Sequence, residues 1–475
     1  MRRSAAAEPG TRLSDIAFLS AAELGRRIAR RHLSPVEVTD EMLARIARLD
    51  SQLNAYVTVV PERARAEAKA AETEIAAGAW RGPLHGVPIA LKDIFDTAGI
   101  ETAAGSKILR GNVPDADAAV VERLRAAGTL LLGKLNMHEF AYGTTNRNEH
   151  WGDCRNPWNL AHVPGGSSGG SGAALAAGLC YGSLGTDTGG SIRIPASVCG
   201  VVGLKPTFGR VSRRGVVPLA WSLDHVGPMA RTVEDAALLL GAIAGHDPAD
   251  EWSATEPVDD YTRDLEAGVR GLRLGLPRQL FFEGLDPAVE HEVRAAIDVL
   301  IGEGASTLEV ELPHVEHAQT ALHATLASEA SAYHQRWLRE RPDDYGDVRP
   351  ALELGLFIPA VDYVNARRWQ TLVRSDFAAA LRQVDVLVAP SLPRTAPRIG
   401  EPVSREPRIA WNRFMTPLNL AGLPAISVPC GFDESGLPVG LQIAGRAWDE
   451  ATVLRVARAY ERATDWHEQR PPMAA

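Results

Sequence analysis

A lysine interrupts an apolar run, Pro88-Ile-Ala-Leu-Lys-Asp-Ile-Phe95. Burial disfavours an ammonium and lowers its pKa, so a lysine there can be neutral and act as a base for a serine. Two Gly/Ser-rich segments follow at a distance, Pro164-Gly-Gly-Ser-Ser-Gly-Gly-Ser-Gly172 and Gly185-Thr-Asp-Thr-Gly-Gly-Ser-Ile-Arg193. Glycine lets a backbone approach a ligand closely and aim its N–H groups, which suits an anion nest or an oxyanion hole. Each feature has a bland alternative. A Gly/Ser run can be a flexible linker, but an Ala-rich helical stretch follows the first loop and apolar segments surround both. The lysine head can snorkel out or pair with Asp93 or Asp96. The residues alone leave the role of Lys92 open between these readings.

Three other patterns lead nowhere. Gly166-Ser-Ser-Gly-Gly170 matches G-x-S-x-G with Ser168 at its centre, but that motif needs a preceding strand and Asn156-Pro-Trp-Asn159 is a turn signal. Gly128-Thr-Leu-Leu-Leu-Gly-Lys-Leu135 nearly matches a phosphate loop, yet Leu135 lacks the hydroxyl a magnesium ion requires. His314 and His317 could hold a metal, but Pro313 precedes them and no metal-binding signature surrounds them, so we expect solvated histidines and no metal.

The elements that must position these residues read as α/β. Ser20 with Glu23 and Ser34 with Glu37 are capping-box pairs, with Pro35 at a first helical position, and they predict helices over about 20–31 and 34–50. A third helix runs from Pro61 to Gly78. Further helices are expected over 115–127, 287–302, 361–384 and 450–463. Strands are expected at 129–133, 272–276, 307–312, 386–389, 425–428 and 439–443. Strands separated by helices imply a mostly parallel sheet with helices on both faces.

Composition bounds the function. The chain has 475 residues, 45% hydrophobic and 23% charged, with a net charge of −9. That balance argues against a general nucleic-acid binder, which needs a basic stripe. The four cysteines (Cys154, Cys180, Cys199, Cys430) form no C-x-x-C and fit a reducing cytoplasm. The N-terminal MRRSAAAEPG has no apolar stretch behind its arginines, so no signal peptide is expected. No run of 18 apolar residues occurs, so no membrane span is expected.

Lys92, the Gly165–Ser171 loop and the Gly185–Arg193 segment, with the lysine 75 residues upstream of Ser167, resemble the amidase signature family of serine hydrolases. The likeness is dense from Gly86 to His246 and returns at Asn419-Leu-Ala-Gly-Leu-Pro424 and Leu437-Pro-Val-Gly-Leu-Gln442. It implies one domain over residues 1–475. Within that domain lie a helical part to about 80, a signature core over 81–246, a more variable pocket region over 250–410 and a C-terminal part over 411–475. It implies a mostly parallel mixed sheet covered by helices on both faces. It also implies Ser191 as nucleophile, Ser167 on a cis peptide bond as the bridge, and Lys92 as base. The backbone N–H groups of Thr188, Gly189, Gly190 and Ser191 would form the oxyanion hole, with Ser168, Asp187 and Arg193 bracing the loops. Phe140, Ala141, Tyr142, Gly143 and Thr144 follow the family's Gly-Lys-x-Asn stretch and would line the pocket. No cofactor is implied.

Within this family two classes compete. One is the stand-alone amidases. The other is the glutaminase component of the glutamyl-tRNA amidotransferase, which releases ammonia from glutamine for a partner protein. Placed on that component, the chain puts Gln370 at the arginine that binds the α-carboxylate and Asn412 at the aspartate that binds the α-amine. Trp221 stands where the component has a small residue. We therefore expect a stand-alone cytoplasmic amidase acting on a neutral small molecule, an anilide, aliphatic amide, carbamate (as a urethanase would) or ester. No nucleic acid or membrane partner is expected, and a homodimer is left open. The amidotransferase component is the alternative.

Overall fold

The computed structural model describes residues 16–474 apart from 405 and 407–409, so the reading of MRRSAAAEPG falls outside the described residues. The two capping serines start helices as their spacing predicts. Ser20 Oγ accepts from Glu23 N at 3.1 Å ahead of the helix Ala21–Ala29. Ser34 Oγ accepts from Val36 N at 3.1 Å and Glu37 N at 3.4 Å ahead of Pro35–Leu53. Each bond satisfies a backbone donor that the first helical turn leaves without a partner. The helix Pro287–Gly302 has the bounds its sequence pattern predicts.

Eleven strands form one sheet: β1 (Tyr56–Val59), β2 (Pro88–Lys92), β3 (Leu130–Leu135), β4 (Gly182–Asp187), β5 (Val202–Lys205), β6 (His225–Ala230), β7 (Arg273–Pro277), β8 (Ser306–Val310), β9 (Val386–Pro390), β10 (Ala425–Phe432) and β11 (Pro438–Ala444). Their order is β1-β3-β2-β4-β6-β5-β10-β11-β9-β7-β8. The mixed α/β sheet agrees with the sequence reading, but the parallel pairs sit only towards its two ends. They are β3-β2-β4 on one side and β9-β7-β8 on the other, and the middle, β4-β6-β5-β10-β11-β9, is antiparallel throughout. Strand–helix alternation predicts the parallel flanks, where helices make the crossovers. It says nothing about β4, β5 and β6, which lack the β-branched alternation of a recognisable strand.

The parallel pair β2–β4 fixes the site. Ile89, Ala90 and Leu91 pair with Gly182, Ser183 and Leu184, so both strands end at the same edge of the sheet. Lys92 is the last residue of β2 and Asp187 the last of β4. Carboxyl ends of parallel strands are where open α/β sheets bind ligands. The first Gly/Ser loop packs over that edge and runs into the helix Gly169–Ala176, all of it buried. It is no flexible linker: a Cβ at Gly170 would lie 2.4 Å from the Asn136 carbonyl oxygen.

Candidate active site

Lys92 Nζ lies 2.7 Å from Ser167 Oγ and 2.7 Å from Thr186 Oγ1, and all three side chains are buried. Asp93, a partner considered from sequence, is instead 3.2 Å from Lys134 Nζ. Burial, opposed by the nearby carboxylates of Asp224 and Asp187, lowers the Lys92 pKa from 10.5 to about 7. A neutral Lys92 can accept the Ser167 O–H while its own N–H donates to Thr186. The peptide bond Gly166–Ser167 is cis.

Ser168 has a different task. Its Oγ donates to the Thr186 carbonyl and accepts from Thr186 N, both at 3.3 Å, tying the first loop to β4. Its backbone N–H donates to the Ser191 carbonyl at 3.2 Å, joining the two loops. Ser191 is at the surface of a cavity of about 360 Å³. No hydrogen bond closes the step between Ser167 Oγ and Ser191 Oγ in this structure; catalytic hydrogen bonds commonly tighten only once substrate is bound.

The second loop hangs on Asp187. Its carboxylate accepts from Gly190 N at 2.7 Å and Ile192 N at 3.2 Å. Arg193 meets it with two bonds, Nε to Oδ2 at 3.0 Å and an Nη to Oδ1 at 3.1 Å. Arg193 also donates to Gln442 Oε1 at 2.8 Å and Asn419 Oδ1 at 2.6 Å. Burial alone would raise the Asp187 pKa, but the Arg193 guanidinium, Lys205 and Asn419 outweigh it and hold the carboxyl well below its ordinary range. The loop is thereby locked before any substrate arrives.

Of the four N–H groups expected to bind an oxyanion, Gly190's is therefore taken by Asp187. Those of Thr188, Gly189 and Ser191 have no protein acceptor among the described residues. Gly190 serves by its backbone: φ is +119° and a Cβ would lie 2.8 Å from Met415 Cβ.

Ala141, Tyr142, Gly143, Thr144 and Asn412 line the Ser191 cavity, in keeping with their expected place. Three expected pocket residues do not. Phe140 adopts φ +47°, which turns its ring into a buried cluster with His334, Trp337 and Tyr345. Gln370 lies on the inner face of the helix Ala360–Leu381 and donates to the Leu420 carbonyl at 2.8 Å. Trp221 lines a neighbouring cavity that does not include Ser191. His314 contacts Asp376 at 3.0 Å and His317 stacks on Trp369, and the described residues contain no cluster suited to a metal.

Several neighbours of the site carry no sequence signal. Thr188 Oγ1 donates to Asp224 Oδ1 at 2.6 Å. Thr416 Oγ1 donates to Gln319 Oε1 at 2.5 Å, Gln319 Nε2 to Asn412 Oδ1 at 3.2 Å, and Asn412 Nδ2 to the Gly189 carbonyl at 2.9 Å. Gln319 and Asn412, with Leu322 and Leu326, line the same cavity as Ser191. Charged groups line it too: Arg147 lies 3.7 Å from Asp153, Asp347 lies 3.6 Å from His138 Nε2, and Glu401 accepts from Arg394.

Amide turnover should therefore follow the neutral form of Lys92. The rate should fall about tenfold per pH unit below about pH 7 and plateau above it. A kcat profile that stays flat from about pH 5.5 to about 8 on one amide would contradict this.

The chain matches the family model described as Amidase over residues 37–454. It is 46% identical to a protein of Roseiflexus sp. (strain RS-1) named as the A subunit of glutamyl-tRNA(Gln) amidotransferase, across 96% of this chain and 98% of that protein. Among solved structures it is similar to the peptide amidase of Stenotrophomonas maltophilia, with a TM-score of 0.87, 35% identity and coverage of 97% and 99% of the two chains. It is also similar to a chain described as belonging to a vestigial protein complex that reveals the origins of an s-triazine catabolic enzyme. There the TM-score is 0.89, the identity 40% and the coverage 94% and 98%. With the Lys92–Ser167 contact and the braced loops, this match places the chain in the amidase signature family.

Proposed function

We propose that this chain hydrolyses the C–N bond of neutral amides through an acyl-enzyme on Ser191. The contact of Lys92 Nζ with Ser167 Oγ at 2.7 Å, in full burial beside the Ser191 loop, carries the reading. Neutral Lys92 takes the Ser167 proton as Ser167 takes the Ser191 proton. Ser191 Oγ bonds to the carbonyl carbon, and the free N–H groups of Thr188, Gly189 and Ser191 receive the oxyanion. Ser167 then gives a proton to the nitrogen as the C–N bond breaks and regains one from Lys92, which is neutral again. Water repeats the sequence on the ester left on Ser191. The scheme uses no cofactor and treats residues 1–475 as one domain. The four free, buried cysteines support a cytoplasmic setting, and no helix among the described residues is long and apolar enough to cross a membrane.

The uncharged wall of Gln319, Asn412, Leu322 and Leu326 favours a neutral substrate. A free amino acid brings a carboxylate and an ammonium whose lost hydration only opposite charges offset. Gln370 adds nothing to this point, because its amide is turned away from the cavity; Asn412 keeps its part.

The curated relative's name favours a second reading, and does so more strongly than it favours the first. At 46% identity over nearly the full length, it supports a glutaminase component that works with partner proteins. The two readings differ in one comparison on the isolated chain. The neutral-amide reading expects kcat/KM for a neutral aryl amide to exceed that for L-glutamine, with no ATP, tRNA or second protein. Matched ester and carbamate substrates would rank the remaining classes. A preference for glutamine, or activity only with an added amidotransferase partner, would establish the second reading instead.

A further inference from the structure

We propose that Asp224 is a positioning residue of this reaction: its carboxylate holds the turn that carries Thr188 and keeps a negative charge beside the Lys92–Ser167 relay. The proposal rests on the amide-hydrolase reading and assigns one further residue to that site.

The sheet register brings Asp224 to the site. Antiparallel pairing of β4 with β6 sets Asp187 opposite His225, so the residue after Asp187 meets the residue before His225. Thr188 Oγ1 accordingly donates to Asp224 Oδ1 at 2.6 Å. The same carboxylate accepts from Leu219 N at 2.9 Å and from Ala220 N at 3.0 and 3.1 Å. Both oxygens thus receive donors, which suits an ionised carboxylate. Thr188 also lines the Ser191 cavity, and Asp224 lines the neighbouring cavity with Thr186, whose hydroxyl is bound to Lys92 Nζ. One buried group therefore holds the turn ahead of Ser191 and shares a cavity wall with the hydrogen-bond partner of the base.

The charge has a task because Lys92 does not stay neutral. When Ser191 passes its proton to Ser167 and Ser167 passes its own to Lys92, a buried ammonium forms. Such a charge is costly unless an opposite one offsets it. Two carboxylates act on Lys92, Asp224 and Asp187. Asp187 is already met by the Arg193 guanidinium, with Lys205 nearby. Asp93 is taken by Lys134 on β3. Burial raises the Asp224 pKa from its ordinary value, opposed by the Thr188 hydroxyl, by Arg213 and by the N–H groups of Leu219 and Ala220. Arg213 itself faces Asp250 at 3.7 Å. His225, next in the chain, is kept neutral by its burial, which holds its pKa well below the ordinary range. Asp224 is thus the carboxylate left to offset the ammonium.

The test reads kcat and KM for one amide against pH in Asp224→Asn, Thr188→Val and Thr188→Ser. Removing the negative charge favours the neutral lysine, so in Asp224→Asn the acidic limb of the kcat profile should move down by about half a pH unit or more. Its plateau should fall by on the order of 10–10² while KM changes less than about twofold, because the ammonium and the oxyanion arise only on the way to the transition state. Thr188→Val removes the hydroxyl and keeps the charge, so the plateau should fall about tenfold and the limb should stay in place. Thr188→Ser should restore the rate. The pH dependence of Ser191 labelling by a fluorophosphonate reads the same limb without an amide. If amides are hydrolysed but the limb does not move in Asp224→Asn, Asp224 is only a structural group and the amidase reading stands. If no amide is hydrolysed but the labelling limb moves in Asp224→Asn, the assignment of Asp224 stands and the amidase reading falls. Should Asp224→Asn fail to fold, an unchanged plateau in Thr188→Val overturns the assignment, and a loss that Thr188→Ser restores upholds it.

Discussion

Ser191→Ala should abolish amide turnover, lowering kcat by on the order of 10⁵–10⁶, as loss of a covalent nucleophile does in serine hydrolases. The fold should not suffer. The Ser191 hydroxyl has no hydrogen-bond partner among the described residues, and the loop is held by Asp187, Arg193 and the Ser191 carbonyl. The variant should melt within about 2 °C of the wild type. Retained turnover with an unchanged melting temperature would remove Ser191 from the reaction.

Removing the base should have the next largest effect. Lys92→Ala should lower kcat on an amide by about 10³–10⁴, and Lys92→Met, which keeps the buried volume, should do the same. The loss on a matched ester should be smaller. An ester's alkoxide leaves with less help from a proton than an amine needs, so the return of a proton from Ser167 matters less there. Kinetics on one amide and one ester with the same acyl group read the difference. Equal losses on both would take away the proton-relay role and leave Lys92 as a structural group.

The sequence makes the chemistry more legible than the sheet that holds it. Ser20, Ser34 and Pro35 announce helix starts because capping is local, and the helix 287–302 is bounded by Pro287 and Gly302. By contrast β4, Gly182-Ser-Leu-Gly-Thr-Asp187, is buried on both faces and has neither alternation nor β-branched residues beyond Thr186, yet it delivers Asp187 and Thr186. The helix Ala318–Glu340, which carries Gln319, Leu322 and Leu326, mixes polar and small residues around its circumference and gives no clear periodic signal.

Side-chain direction is also hidden. Phe140 precedes four pocket residues, but its positive φ sends the ring the other way. Gln370 fits the aligned position of a charge, while the helix turns it inward. Gly190 belongs to the second Gly/Ser loop, and only the structure shows its N–H held by Asp187. Asp224 and Gln319 join the site through long-range hydrogen bonds that no spacing announces.

The mechanism puts a covalent intermediate on one serine out of three that lie close together. Treating the protein with a fluorophosphonate, digesting it and locating the adduct by mass spectrometry identifies that serine. We expect the mass increase on the peptide containing Ser191, with labelling lost in Ser191→Ala and slowed in Lys92→Ala. Ser168→Ala should still be labelled at Ser191, because the Ser168 hydroxyl is engaged with the backbone of Thr186. An adduct on Ser168, or on Ser167 in the wild-type protein, would contradict the account.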